Sequence, residues 1–251
     1  LGGAIAANAS GPRRFGLGTL RDYIIGISLV NDDRVEIKAG GRVVKNVAGY
    51  DLMKLFTGSL GTLGVITQIT LKLKPAPEAS SFLVAPISAS QLGACLDRLH
   101  ASRTRPVCID FLDAAASRVI EERHRVGLPG NDSAHLLVGF EDNAAAVSWQ
   151  VRQLREELTG LAADWREFTE SGRDAVLAAL TDFALWPEGE VSFKATMVPH
   201  QVPAFIERAL SIAPDLLLQA HAGSGIVIGH VRGLNRHPTG DLLHPLGLIA
   251  S

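Results

Sequence analysis

Cysteine is nearly absent. Cys95 and Cys108 are the only two in 251 residues, and they form no Cys-x-x-Cys pair. That spacing argues against a disulfide scaffold, a zinc site or a cysteine-ligated iron–sulfur cluster, and it fits a reducing, cytoplasmic setting. Histidine is missing from the first 99 residues. No apolar run is long enough to span a bilayer, and no Arg/Lys-led signal segment opens the chain. Leu1-Gly2-Gly3 reads as the interior of a longer protein, so the sequence is expected to be an N-terminally truncated fragment. A net charge of −2 gives no electrostatic case for nucleic acid or for a membrane surface. Low-complexity tracts and internal sequence repeats are lacking too. With 47% hydrophobic residues, the length suffices for one large domain or two ordinary ones.

What the chain has is glycine in two clusters. The first is Leu1-Gly2-Gly3-Ala4-Ile5-Ala6-Ala7-Asn8-Ala9-Ser10-Gly11, where small residues would let a large flat ligand lie against backbone. The second is Gly58-Ser59-Leu60-Gly61-Thr62-Leu63-Gly64, between a short helix and a strand. Glycines three apart let peptide N–H groups approach an anion, and successive N–H groups make a concave anion site. No Gly-Lys-Ser/Thr closes the run, which excludes a Walker A loop. The glycines precede a strand instead of opening a helix, which excludes the Rossmann fingerprint. A tight helix-to-strand connection would need one such glycine; three, beside Ser59 and Thr62, favour phosphate binding. Charge agrees in part. Residues 1–76 carry ten Lys/Arg against five Asp/Glu, and the remainder fourteen against twenty-one.

Apolar patterning divides the chain at Pro75-Ala76-Pro77. Before it, residues 23–30 and 34–38 read as a hairpin about Asn31-Asp32-Asp33, Tyr50–Phe56 as a short helix, and Val65–Leu73 as a strand. After it, strands at 82–87, 107–112, 135–140, 191–198, 216–221 and 226–231 alternate with helices at 90–100, 114–124, 144–158, 174–185 and 202–212. Such alternation with short antiparallel strands predicts an α+β sheet with helices on one face, of ferredoxin-like type.

The two glycine clusters together resemble the FAD-binding domain of the p-cresol methylhydroxylase (PCMH)/vanillyl-alcohol oxidase superfamily. Lys45-Asn46-Val47-Ala48-Gly49-Tyr50-Asp51 narrows the resemblance to the small FAD-binding subunits of bacterial glycolate oxidases. The likeness spans residues 1–76 and continues more weakly beyond. It implies an α+β protein: the second half of a PCMH-type FAD-binding domain (1–76), a ferredoxin-like α+β cap (77–234), and an irregular or truncated tail (235–251). It implies FAD as cofactor, contacted by Gly2, Gly3, Asn8, Ser10, Gly11, Arg21, Lys45, Asn46, Gly58, Ser59, Gly61, Thr62, Gly64, Val65 and Ile66. Some of these have a plainer reading. Asn8 and Ser10 could form turns, Arg21 and Asp22 an ion pair fixing a loop, and Lys45 a solvated strand residue. Otherwise Lys45 would place a cation at the flavin N1–C2=O edge. With histidine and cysteine absent from the flavin portion, attachment of FAD is expected to be non-covalent.

Lys45, Tyr50 and His221 are the catalytic candidates, Tyr50 and His221 with structural alternatives. Related 2-hydroxyacid dehydrogenases often carry His-x-Gly-Asp-Gly-Asn-x-His where this chain has His221-Ala222-Gly223-Ser224-Gly225-Ile226-Val227-Ile228. A lone imidazole is a poor metal ligand set, so no metal is expected. The implied activity is oxidation of glycolate, a small 2-hydroxyacid, to glyoxylate. The implied partners are a larger FAD-binding catalytic subunit and an iron–sulfur subunit. The implied location is cytoplasmic, with peripheral attachment at the inner membrane through the complex. Two alternatives stay open: a non-catalytic structural subunit of such a complex, and a stand-alone FAD-linked oxidase of another hydroxyl substrate.

Overall fold

The computed structural model describes residues 1–43, 50–130, 132–186 and 191–231. Two compact units emerge, Leu1–Ala76 and Pro77–Ser251. Among the described residues no helix is long and apolar enough to cross a membrane.

The first unit opens with two short helices, α1 (Gly2–Ala6) and α2 (Arg14–Leu17). A seven-residue apolar run then forms β1 (Ile24–Val30), buried along most of its length. Asn31 turns the chain by accepting the Val35 amide at 2.9 Å, and β2 (Glu36–Gly40) returns antiparallel, Val30 opposite Glu36. Asp51 caps α3 (Leu52–Phe56) through the Lys54 amide. Beyond the second glycine cluster, β3 (Val65–Leu71) takes the other side of β1, giving the order β2-β1-β3. Ile27, Leu29 and Phe56 make the small core, with Ile37, Leu52 and Ile66 packed against it.

The second unit contains β4 (Ala79–Ile87), α4 (Leu92–Ala101), β5 (Cys108–Leu112), α5 (Ala114–His124), β6 (Ala134–Asp142) and α6 (Ala144–Glu157). It continues with β7 (Arg166–Phe168), α7 (Glu170–Asp182), β8 (Val191–Thr196), α8 (Val202–Ile212), β9 (Leu217–His221) and β10 (Ile226–Val231). Its strands form one antiparallel sheet in the order β7-β4-β6-β5-β9-β10-β8. Strands β7-β4-β6-β5 follow the ferredoxin-like order fourth-first-third-second, with α4 and α6 as the crossovers. Strands β8, β9 and β10 with α8 repeat the first three strands of that plan, a repetition the sequence does not display.

One expectation needs correction: the helices are not confined to one face. Successive strand residues point to opposite sides. Leu83, Ala85, Ile109, Phe111, Leu136, Val138, Leu218 and Ala220 meet α4, α6 and α8 in one core. Their neighbours Phe82, Val84, Leu112 and Leu137 are also fully buried, on the face where α5 lies against β6 and β9 and α7 against β4. Strand β7 was not anticipated, and α7 begins at Glu170, four residues earlier than its apolar pattern predicts.

Buried polar side chains staple the second face. Asp113 caps α5 by accepting the Ala116 amide at 2.9 Å, and the same oxygen accepts the Leu218 amide at 3.0 Å. Burial pushes its carboxyl up to about 6 despite those donors. His135 bonds Ser117 through Nδ1 at 2.8 Å and the Pro129 carbonyl through Nε2 at 2.6 Å. His230 repeats the device with Ser192 and the Phe183 carbonyl. Burial lowers the His135 imidazole below its ordinary 6.5, against the Pro129 hydrogen bond and Glu121. The stabilisation from holding it neutral is complete above 6.5 and is lost as pH falls through the lowered value. Asp113 runs the other way: its contribution is complete below 3.8 and lost as pH rises through about 6. The difference between wild type and His135→Gln isolates the imidazole. The stability advantage of wild type, read as urea midpoints, should shrink between pH 7.5 and 5; a gap independent of pH would contradict this assignment.

Candidate functional site

The site is built from α1, the turn after it, and the connection from α3 to β3. Gly2 and Gly3 lie inside α1, not in an open loop, although glycine is a poor helix former. The helix is capped at Ala7, and Asn8 reverses the chain with φ 46°. Opposite it the second cluster turns through positive φ at Gly58 (86°), Leu60 (55°), Gly61 (78°) and Gly64 (146°). Two backbone hydrogen bonds join the clusters: the Gly58 amide donates to the Ile5 carbonyl at 3.0 Å, and the Leu60 amide to the Ala6 carbonyl at 2.8 Å. A Cβ on Gly58 would stand 3.4 Å from Asn8 Cβ, and one on Gly2 would stand 3.5 Å from the Ile66 carbonyl oxygen. Gly2, Gly3, Asn8, Gly58, Ser59, Gly61, Gly64, Val65 and Ile66 therefore belong to one neighbourhood.

Each group has a different capacity left. The Gly58 and Leu60 amides are used internally, so two of the loop's donors are spent on building it. The Gly61 and Leu63 amides have no partner among the described residues. Thr62 donates its hydroxyl to the Ser59 carbonyl at 2.7 Å and retains only acceptor capacity. Asn8 Oδ1 is buried and has no hydrogen-bond partner. A buried unmet acceptor is costly, about 1–3 kcal/mol, unless a ligand or water supplies a donor. Ser10 accepts from Arg14 Nη1 at 3.1 Å beside Gly11. A set of unpaired amides with one unmet side-chain acceptor suits a ligand that carries anionic oxygens and hydroxyls.

Other candidates sit elsewhere. Arg21 is exposed, and Asp22 forms no ion pair with it. The Asp22 carboxylate instead accepts the Thr19 amide (2.8 Å) and hydroxyl (2.9 Å), and the first of these does most to hold its carboxyl below the usual range. Tyr50 is 93% exposed, so it is no core residue. Lys45 and Asn46 lie outside the described residues. His221 is buried in the second unit, its Nδ1 2.8 Å from Asp110 Oδ2. Among the described residues no group of three or more His, Cys, Asp or Glu could hold a metal ion.

A cleft of about 670 Å³ in the second unit contains none of the candidates. Its charged lining is already engaged, Asp113 with backbone amides and Arg118 with Asp132 at 3.1 Å. Sequence reading missed Asp110, 111 residues from its His221 partner, because nothing local marks a carboxylate for burial.

No family model matches the chain. Relatives do. Glycolate oxidase subunit GlcD of Bacillus subtilis (strain 168) is 32% identical over 259 residues, covering 95% of this chain and 51% of that protein. Glycolate oxidase subunit GlcE of Escherichia coli (strain K12) is 43% identical over 156 residues, covering 62% of this chain and 43% of its own length. A D-lactate dehydrogenase of Archaeoglobus fulgidus is 29% identical, with 92% and 53% covered. The solved structure of an alkyldihydroxyacetonephosphate synthase matches at a TM-score of 0.66 and 16% identity, covering 98% of this chain and 51% of that one. The fold resembles that of PCMH-type FAD-binding proteins. The chain is similar to members of the FAD-binding PCMH superfamily, and it spans about half the length of the relatives it matches.

The geometry of the cradle yields a test. A Cβ on Gly64 would sit 2.6 Å from the Val30 carbonyl oxygen and 2.8 Å from Leu29 Cδ1. Gly64→Ala should destabilise the first unit by about 1–3 kcal/mol, whereas Gly3→Ala, whose Cβ meets nothing within 4 Å, should be nearly neutral. Equal unfolding midpoints for the two variants would refute the steric assignment.

Proposed function

We propose that the intact protein is the FAD-binding subunit of a glycolate-oxidase-type complex that oxidises a small 2-hydroxyacid, with glycolate the reference substrate and glyoxylate the product. The observation that carries this reading is the joining of the two glycine clusters around Asn8. Bound FAD supplies the hydride acceptor for the substrate α-carbon. The chain's own residues bind and orient. The Gly61 and Leu63 amides face the pyrophosphate, with Ser59, Thr62, Gly64, Val65 and Ile66 shaping the cradle. Asn8 bonds the ribityl chain or flavin edge, beside Ser10 and Gly11. Lys45 would set a positive charge at the N1–C2=O edge, where charge develops as the flavin is reduced. FAD is held non-covalently. Residues 1–76 form part of the flavin domain, 77–234 act as the cap unit, and 235–251 as a tail. The partners are a larger FAD-binding catalytic subunit and an iron–sulfur subunit, in the cytoplasm with peripheral attachment at the inner membrane.

One observation favours a second reading, a non-catalytic structural subunit. Position 228, where related dehydrogenases place a second histidine, is Ile228 on β10. Purification of the full-length protein from its host separates the two. A yellow protein with flavin absorbance and both partners supports the first; a colourless one at full stoichiometry supports the second. Asn8→Ala in the full-length protein should weaken FAD binding about five- to tenfold, the worth of one hydrogen bond. Residues 1–251 alone should bind FAD more weakly than the full chain, because half the length of the relatives lies outside them; equal affinity would contradict this.

A further inference from the structure

On the face of the larger sheet covered by α4, α6 and α8, an arginine-rich seam runs between α4, the segment that leaves it, and α6. Arg98, Arg103, Arg105 and Trp149 are exposed along it. Arg98 Nη1 donates to the Glu157 carbonyl at 3.4 Å, and Arg103 Nη2 to Gln153 Oε1 at 3.1 Å. The Arg103 guanidinium also lies over the Trp149 ring, 6.0 Å from its centroid. Each of these partners is neutral. Elsewhere in the unit Arg118 and Arg155 are matched by carboxylates, Asp132 and Glu167. Among the described residues no carboxylate pairs with Arg98, Arg103 or Arg105 within 4.0 Å.

The adjacent acidic residues do not alter this. A Cβ on Gly93 would stand 3.8 Å from Pro203 of α8, and Asp97, four residues on, shares that side of α4. Glu157 accepts from Gln153 Nε2 at 2.8 Å. The seam is also fixed. Buried Gln150 accepts the Arg105 amide at 2.7 Å, which ties the segment after α4 to α6. Ser102 Oγ accepts the Thr104 amide at 2.9 Å, and Thr104 is buried. Cations held on a rigid backbone by neutral groups need little further ordering to meet an anion. Tryptophan and arginine are the side chains that anchor protein interfaces, and of the three tryptophans only Trp149 is exposed. Nucleic acid is the poorer fit. Residues 77–251 carry fourteen Lys/Arg against twenty-one Asp/Glu, so the rest of the unit would repel a long polyanion. An acidic protein surface needs to match only the seam.

We propose that this seam docks a protein partner that presents carboxylates, with Trp149 as the apolar anchor and Arg98, Arg103 and Arg105 as the ion-pair contacts. That the partner is a subunit of the oxidase complex rests on the function proposed above; the docking surface does not.

For the test, full-length protein is purified from its host at low salt. The co-purifying protein is identified by mass spectrometry, separated and titrated back. Trp149→Ala should weaken its binding about 30-fold, as loss of an interface anchor does. Arg103→Glu should weaken it about tenfold, largely through slower association. Arg208→Glu, the same change of charge at an exposed position of α8, should leave it within about twofold. In Arg103→Lys, a carbodiimide that joins amines to carboxylates should cross-link position 103 to an Asp or Glu of the partner. Should Trp149→Ala or Arg103→Glu fail to fold, this cross-link decides. Unchanged affinity in both variants would overturn the proposal, as would a seam occupied by nucleic acid or by a second copy of the chain. A wild type that elutes alone also overturns the docking surface, and its colour separately decides the flavin reading. A partner released by the variants that carries neither flavin nor an iron–sulfur cluster would refute the oxidase-subunit reading and leave the docking surface standing.

Discussion

The first unit depends on two peptide hydrogen bonds, from Gly58 to Ile5 and from Leu60 to Ala6. Their partners lie 53 and 54 residues apart in the chain. They can form only if the connection after α3 turns through positive φ, which is why glycine recurs there and why Leu60 is drawn into the same region at some strain. The bonds use up two donors that would otherwise seem available to a ligand. In return they hold the remaining amides of the connection beside Asn8. Much of the glycine pattern therefore serves architecture, and the Gly61 and Leu63 amides and Asn8 Oδ1 are what that architecture leaves unpaired among the described residues.

The sequence made the strands and helices legible wherever burial follows a period. β1, β3, α4, α5, α6 and α8 fall close to where alternation or the 3.6-residue stripe puts them. What escaped lacked such a period or depended on distant partners. α1 was hidden because Gly2-Gly3 opposes helix formation, and tertiary contacts with β3 and hydrogen bonds from the Gly58 and Leu60 amides hold it in place. β7 is three residues long and exists because β4 offers an edge. The second helical layer was missed because strands buried on both faces lose their alternation, as β5 does with five consecutive buried residues.

Polar residues were harder to read for the same reason. Arg21 and Asp22 adjoin in sequence and suggested an ion pair, yet Asp22 caps its own turn through Thr19. His135, His221 and His230 look alike as letters. Their partners are a serine and a carbonyl in two cases and a carboxylate in the third, between 6 and 111 residues away. A serine–carbonyl pair can satisfy an imidazole in either charge state with no change of fold, which marks His135 and His230 as staples. A carboxylate partner on one ring nitrogen sets His221 apart.

That difference bears on Ile228. A second imidazole there would face Gln219 across the β9–β10 pair and could give its orphaned oxygen a donor. With isoleucine the polar cluster keeps its carboxylate and first histidine but loses its continuation along β10. The buried polar cluster on the second face of the larger sheet therefore consists of a carboxylate, an amide, a thiol and one imidazole, and Ile228 borders it with an apolar side chain that leaves the Gln219 oxygen unmet.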